Sequence, residues 1–523
     1  MKSLTPLLIC LISSSLFSQN IELKIQTIKK NSLEFILQGD VSDNIILEYG
    51  VTKNLELDSQ KGLTLTGLKD ATFYYVKAKN IANKNQTSIQ LFSTASKSSG
   101  DITVYFNHWV NNNASSITDA IHIANFEDTL IAYIDRVQNT LDVCNYNTGS
   151  LPIVNAINAA KTRGVIVRYV SADNTGTNNG ELSNLSAAIP MIQRPNDGEV
   201  MHNKFMIIDV ATNNLAKIIS GSTNHTNNSC TNDYNNLVII EDQSLAQAYK
   251  LEFEEMWGSS STTPNGTNAK FGNAKTDNTP HSFNIGGTTV ELYFSPSDNV
   301  SSHIESSILT ANTDMQFATL TFIHNAIGDA VTTIHNAGVD VKGIIENVFF
   351  WGSEYSGLLN DGVDVHSHFT TANLFHHKYG IIDANNISSD PLVITGSHNW
   401  TNSAENDYDE NTLIIHDPII ANMYYEEFMA RYSEATGAVG IEESLDDLSI
   451  QLFPNPTKKH LTIESAFSIE NIRIHNVIGD AVYYSSNINQ HKVVIDLRGF
   501  PQGVYFVQIS TNSRRVVKKI VIQ

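Results

Sequence analysis

The chain has 523 residues, enough for roughly three domains of about 150 residues, each able to bury a full core. Its 54 acidic and 33 basic side chains leave a formal charge of -21, which repels polyanions at long range and argues against nonspecific nucleic-acid binding. Three cysteines exclude a disulfide framework or a zinc cluster, and beyond the first residues no stretch approaches the ~20 continuous apolar positions of a membrane-spanning helix.

In chain order, Met1-Lys2 precedes an apolar run, Leu7-Leu-Ile-Cys-Leu-Ile12, and small residues up to Ser18. That pattern predicts a signal peptide over 1–18, cleaved after Ser18 or at the neighbouring Gln19. Removal leaves Cys144 and Cys230, which allow one disulfide. Residues 20–96 alternate polar and apolar in short bursts separated by Gly, Asp and Asn, which predicts a small all-β domain. Its Leu68-Lys-Asp-Ala-Thr-Phe73-Tyr-Tyr75-Val segment resembles the late strands of a fibronectin type III module, which implies a spacer or adhesion role beside that of plain scaffold. Ser96-Lys-Ser-Ser-Gly100 reads as a linker.

Two similar α/β halves follow, 101–257 and 287–432, each with strand, helix, glycine turn and strand in that order. In the first, Leu141-Asp-Val-Cys-Asn-Tyr146 leads to helical Ile153–Ala160, Arg163-Gly164 and Val165–Val170. In the second, the same order runs from Met315 through Ala337-Gly338 to Ile344. This is the signature of parallel βαβ pairing. A stretch rich in Ser, Thr, Asn and Gly, 258–286, joins the halves as a linker or surface loop. From 448 to 523 the composition again predicts a small β-sandwich. Its ordered marks, Pro454-Asn-Pro456, Val477-Ile-Gly479-Asp, Gly503-Val-Tyr-Phe and Lys518-Lys-Ile-Val-Ile-Gln523, resemble the C-terminal sorting domain of the type IX secretion system of Bacteroidota. That resemblance implies export through the periplasm of a Gram-negative cell to its surface or medium, with the secretion machinery as partner and the tail removed.

The chemistry is concentrated in a repeated kit. His202-Asn-Lys204-Phe-Met-Ile-Ile-Asp209 is followed by Gly221-Ser222-Thr-Asn224. His376-His-Lys378-Tyr-Gly-Ile-Ile-Asp383 is followed by Gly396-Ser397-His-Asn399. On an extended strand, residues two apart share a face, so each His reaches the same space as its Lys. Two imidazoles and two ammonium groups around one cavity can hold a phosphate diester and move protons. His377 falls on the opposite face, with packing as its expected role. The segments Tyr105–Trp109 and Tyr293–Pro296 line either the substrate rim or an edge strand, and Trp351, after Phe349-Phe350, reads as core rather than as an acyl-chain contact.

The paired motifs resemble the phospholipase D superfamily over about 101 to 432. The fold class this implies is multidomain, a central α/β pseudo-twofold double domain flanked by small all-β sandwich domains. The resemblance also implies a covalent phosphohistidine on one histidine while the other protonates the leaving alcohol, with no metal or other cofactor required. On this chain His202 is assigned as nucleophile and His376 as general acid and later base, and the reverse assignment is compatible with the same motifs. Lys204, Lys378, Asn224 and Asn399 would neutralise and orient the phosphoryl oxygens, and Ser222 and Ser397 would help close that shell. Asp209 and Asp383 would fix either the opposite imidazole or the local fold. Glu410 stands where the family places an acid that orients a histidine, and Asn235 occupies the matching place in the first half, so the two imidazoles should differ in basicity.

The expected reaction is hydrolysis of the headgroup-side diester of a phospholipid. The alternative is a secreted, metal-independent endonuclease cleaving DNA or RNA with the same two histidines, and a third reading is an adhesin with a degenerate core. Secretion and acidic charge favour the lipid, whereas no amphipathic segment or basic lipid patch stands out in the sequence. Fusion of two halves makes a dimer unnecessary for catalysis, and the sequence leaves the oligomeric state open.

Overall fold

The computed structural model describes residues 21–39, 44–173, 179–368, 373–437, 450–476, 481–486, 488–511 and 515–523. The expected signal peptide and the Val477–Asp480 mark lie outside them. The described chain forms two compact units, dividing at Thr436/Gly437.

Within the first unit, residues 22–93 build two facing sheets. One pairs Glu22–Ile28, Ser32–Gln38 and Thr64–Thr66, and the other orders Leu57–Lys61, Ile45–Gly50, Phe73–Asn80 and Gln90–Ser93. Alternate residues such as Leu33, Phe35, Leu47, Val76 and Ala78 close the core between them, the period-two burial of a sandwich. The expected linker is fixed rather than free. Ser96 Oγ donates to Asp242 at 2.6 Å, and an added Cβ on Gly100 (φ 77°) would lie 2.3 Å from the Gly286 backbone nitrogen.

The two halves carry matching eight-stranded sheets. In the first, Thr140–Asn145 lies parallel to Ile166–Ser171 and antiparallel to Lys204–Ile208. Next come Lys217–Gly221, Asn236–Ile240 and Ile102–Phe106, all antiparallel. In the second, Asp314–Thr319, Asp340–Ile345, Lys378–Ile382, Leu392–Gly396, Glu410–His416 and Thr288–Ser295 repeat the arrangement. The sheets are therefore mixed: the parallel pairing read from the sequence lies on the βαβ side, and the first sheet adds a short parallel pair, Ile102–Phe106 with Ile121–His122, at its opposite edge. Each motif strand runs antiparallel to both neighbours, and a short connection joins it to the strand that follows, Lys217–Gly221 or Leu392–Gly396.

Both faces of each sheet are covered, which explains the unbroken apolar Phe205-Met-Ile-Ile run. Phe205 and Ile207 enter a core shared with the second half, through Tyr379, Ile381, Tyr424 and Phe428, while Met206 and Ile208 pack under the outer helices. Those helices, Phe126–Asp135 and Leu151–Thr162, start at Asn125 and Ser150, whose side chains accept from backbone N–H groups in the first turn. Helices Gln243–Trp257 and Pro418–Thr436 contribute to the shared core, so the halves are one body.

The joining segment 258–286 does not behave as a loose loop. Lys275 is buried against Glu252 and, at 3.3 Å, Asp409, Gly272 N–H donates to Asp409 at 2.8 Å, and Ser282–Ile285 adds an edge strand to the second sheet. The cysteines are both buried and free, so the disulfide allowed by sequence does not form. No described helix is long and apolar enough to cross a membrane.

The second unit is a six-stranded antiparallel assembly centred on the long strand His460–Asn476. This strand pairs with Ile450–Phe453 and Gln490–Asp496 along its first part and with Ala481–Ser485 and Gly503–Thr511 along its second. Arg515–Ile522 closes the outer edge, and Leu461, Ile463, Ile472, Ile474, Val507 and Ile509 supply its core.

Candidate active site

The catalytic kit sits where the two halves meet, and each histidine is held by the other half. His202 N–H donates to the Asp409 carbonyl at 2.9 Å and His376 N–H to the Tyr234 carbonyl at 3.0 Å, a pseudo-twofold pair of main-chain bridges. The residue after each bridging carbonyl then receives the imidazole. His202 Nδ1 lies 2.7 Å from Glu410 Oε1, and His376 Nδ1 lies 2.9 Å from Asn235 Oδ1. Asn235 Nδ2 is engaged by the Ser229 carbonyl at 2.9 Å, which fixes the amide so that oxygen faces the ring. A carboxylate and an amide oxygen can only accept, so Nδ1 carries the proton in both rings and Nε2 keeps its lone pair.

Charge couples the cluster across the halves. Burial first, then the Lys204 and Lys378 cations, holds the His202 imidazole well below its ordinary range; burial, Lys378, Lys204 and His202 do the same to His376. Burial pushes Lys204 down to about 7 and Lys378 well below the ordinary lysine range, the latter helped by Lys204. Burial also raises the Glu410 carboxyl to about 7, against the pull of Lys204. Each ammonium donates to its own histidine's carbonyl, Lys204 at 2.6 Å and Lys378 at 2.8 Å, which locks the His-x-Lys turn. Cationic groups held without full compensation are what an incoming diester anion would neutralise.

The Gly-Ser-x-Asn residues divide into two roles. An added Cβ would lie 2.6 Å from the Asn236 carbonyl oxygen at Gly221 (φ 129°) and 2.2 Å from that of Asn411 at Gly396 (φ 142°), so only glycine fits against the next strand. Ser222 Oγ donates to Asn235 Oδ1 at 2.8 Å and accepts from Asn236 N–H, and Ser397 Oγ accepts from Asn411 N–H at 3.1 Å. The serines thus brace the histidine-orienting strand, where the sequence reading gave them to the phosphoryl shell. Asn224 Oδ1 and Asn399 Oδ1, by contrast, are both buried without a protein hydrogen-bond partner, an unsatisfied acceptor at equivalent places in the two halves; a phosphoryl oxygen would have to be met by the NH2 of each amide.

Asp209 and Asp383 are not brought to the imidazoles. Each lies at the far end of its five-residue strand, roughly 16 Å from the lysine at about 3.3 Å per residue. Each adopts a left-handed conformation, φ 46° and 54°, and accepts backbone N–H groups: Asn139 at 2.6 Å and Thr140 at 2.9 Å for Asp209, Thr313 at 2.7 Å for Asp383. Of the two alternatives for these aspartates, the contacts match the local fold.

Several neighbours were not singled out by sequence reasoning. Tyr146 packs edge-on to His202 with ring centroids 4.7 Å apart and lies under Lys204 Nζ, while the second half has Leu320 at the matching place. Asn107 accepts from Asn235 N–H at 2.8 Å and donates to the Asp233 carbonyl at 2.6 Å, bracing the strand that holds His376. His398, the variable residue of the second tetrad, is buried and acts on the charge of both His202 and Glu410. The only available signal was adjacency to motif residues. His377 is second to the site as expected, its Nε2 3.1 Å from Glu427.

Residues 130–257 and 304–432 each match a family model described as cardiolipin synthase, phospholipase D-like domain. The chain is a phospholipase D-superfamily hydrolase of phosphodiester bonds. It resembles the mitochondrial cardiolipin hydrolase of Xenopus tropicalis, 29% identical over 164 residues, 31% of this chain and 70% of that protein. The mouse protein of that name is 28% identical over 166 residues, 31% of this chain and 67% of the relative. Among solved structures, the phospholipase D family member Nuc of Salmonella typhimurium is 25% identical, covering 28% of this chain and 95% of that one with a TM-score of 0.25. Residues 451–523 match the secretion system C-terminal sorting domain, so this hydrolase is a secreted or surface protein of type IX export in Bacteroidota-type Gram-negative bacteria.

Proposed function

We propose that this superfamily hydrolase cleaves the headgroup-side diester of phospholipids through a phosphohistidine on His202. The observation that carries the division of roles is the difference between the two Nδ1 acceptors. His202 Nε2 attacks phosphorus; as its nitrogen forms the P–N bond, the ring gains a positive charge that the Glu410 carboxylate faces and offsets. Once a bound diester anion offsets the Lys378 and Lys204 charges that keep the free ring neutral, His376 takes a proton on Nε2. Its neutral amide partner, Asn235, does little to stabilise that cation, so the proton passes readily to the departing headgroup oxygen as the P–O bond breaks. The neutral His376 then takes a proton from water, which attacks the phosphoryl group, breaks the P–N bond and leaves phosphatidate.

Lys204, Lys378, Asn224 and Asn399 would receive the non-bridging oxygens throughout. Lipid is favoured over nucleic acid by the charge of -21 and by the names of the relatives, which are cardiolipin hydrolases. Headgroup release from phosphatidylcholine, phosphatidylethanolamine and cardiolipin, beside cleavage of labelled DNA, all in EDTA, tests this. Lipid hydrolysis that persists in EDTA and disappears in His202→Ala supports the reading; cleavage of DNA alone would replace it with the nuclease.

A further inference from the structure

The loop that follows strand Asp340–Ile345 carries three consecutive aromatic side chains in the open. Phe349 is 80% exposed, Phe350 56% and Trp351 98%, which overturns the sequence expectation of a core tryptophan. Isolated exposed apolar residues are ordinary, but three adjacent rings form a contiguous patch that water penalises. The fold does not demand them. In the first half the segment after the equivalent strand Ile166–Ser171 reads Ala172-Asp-Asn-Thr-Gly-Thr-Asn-Asn179, with no aromatic residue.

The loop is also tied to the active site by its base. Glu346 N–H donates to the Thr319 carbonyl at 3.1 Å and Asn347 N–H to the Leu320 carbonyl at 2.9 Å, while Leu320 N–H donates to the carbonyl of His377, next to His376, at 2.8 Å. On the far side Glu354 N–H donates to Phe322, and Ser353 N–H closes a turn onto Phe350. Val348 is buried in the outer core of the second half. The aromatic tip is thus presented by a braced base at the end of the sheet that holds His376 and Lys378.

We infer that Phe349, Phe350 and Trp351 insert into the surface of a zwitterionic phospholipid bilayer and dock the second half's side of the active site against it. This rests on the phospholipid reading above. Tryptophan and phenylalanine partition into the headgroup region of bilayers. The charge of -21, with half-buried Glu354 at the end of the loop, selects against an anionic surface, so attachment relies on ring burial and not on charge. It should therefore survive high salt and gain nothing from anionic lipid.

The full-length protein and the variant Phe350→Ser/Trp351→Ser are sedimented with phosphatidylcholine vesicles at low and high salt, and assayed on those vesicles and on short-chain phosphatidylcholine below its micellar concentration. Both changes lie at exposed positions outside the catalytic cluster, and matching thermal unfolding verifies the fold. The expected result is a loss of about tenfold or more in vesicle binding and vesicle hydrolysis, insensitive to salt, with kcat/KM on the monomeric lipid unchanged. Equal vesicle binding by both proteins would overturn the inference. So would a wild type that ignores vesicles yet hydrolyses the monomer, which would leave the phospholipid reading intact. A variant impaired on the monomer would overturn it too, by making the loop a substrate contact. No hydrolysis of the monomer by wild type, with or without vesicle binding, would instead defeat the phospholipid reading itself.

Discussion

The two halves share a scaffold and differ in the few atoms that touch the imidazoles. Both use a lysine bonded to its histidine's carbonyl, a glycine pressed against the next strand and a main-chain bridge across the interface. The first half's histidine receives a carboxylate, the second half's an amide. Tyr146 has Leu320 as its counterpart in the second half, and the bridging Asp409, locked by Lys275 and by Arg194 at 2.9 Å, has Tyr234 as its counterpart. A duplicated fold supplies two equivalent imidazoles, and in the proposed mechanism the exchanged partners suit one to carrying positive charge and the other to releasing a proton.

Substituting the histidines breaks this comparison most severely. His202→Ala and His376→Ala should each lower kcat about 10^4-fold on a natural headgroup ester. With a p-nitrophenyl ester, whose leaving group needs no proton, His376→Ala should recover much of the first-step rate and His202→Ala none. Burst kinetics measure this, and the reverse pattern would exchange the two roles.

Glu410→Gln should cost about 100-fold and change the pH profile. The Glu410 carboxyl is raised to about 7, so in the wild type activity should rise with pH as the carboxylate forms through that value. The glutamine variant should lack this acid limb. Asn235→Asp would supply the missing charge to His376 and move its titration upward, so imidazole NMR should bring the two histidines closer together; identical titrations in the wild type would contradict the asymmetry.

Anion binding should sharpen the account at intermediate scale. Lys204 is lowered to about 7, so above that value the free site must take up a proton to hold an anion as an ammonium contact. Inorganic phosphate should therefore bind more weakly as pH rises from 6 to 8, with proton uptake shown by calorimetry in buffers of different ionisation enthalpy. The smallest catalytic effect is expected at Asp209→Ala, which removes acceptors from buried backbone N–H groups. It should cost about 1–3 kcal/mol of stability while kcat of the folded protein stays within about twofold.

Much of this site was legible because the motif spacing is short. His202 with Lys204 and the continuous apolar run after them fix a buried strand with its chemistry at one end. The sequence also placed Glu410 and Asn235 beside the site, where they give the two histidines different acceptors. The exchange of partners across the interface was not legible, because residues 208 positions apart for His202–Glu410 and 141 for His376–Asn235 meet only when both sheets close on one core. The serines misled because a hydroxyl suits phosphate as well as it suits a strand brace. Trp351 misled because a Phe-Phe-Trp run has the composition of a core and no periodicity to show which way it faces.

The most direct test of the division of labour is mass spectrometric mapping of the covalent intermediate after alkaline quench with the p-nitrophenyl ester of phosphatidate, whose headgroup leaves without a proton, in His376→Asn and His202→Asn proteins. The account predicts a phosphatidyl adduct on His202 that accumulates in the His376 variant and is absent from the His202 variant. An adduct on His376 in the His202 variant, or none in either protein while headgroup is released, would contradict it.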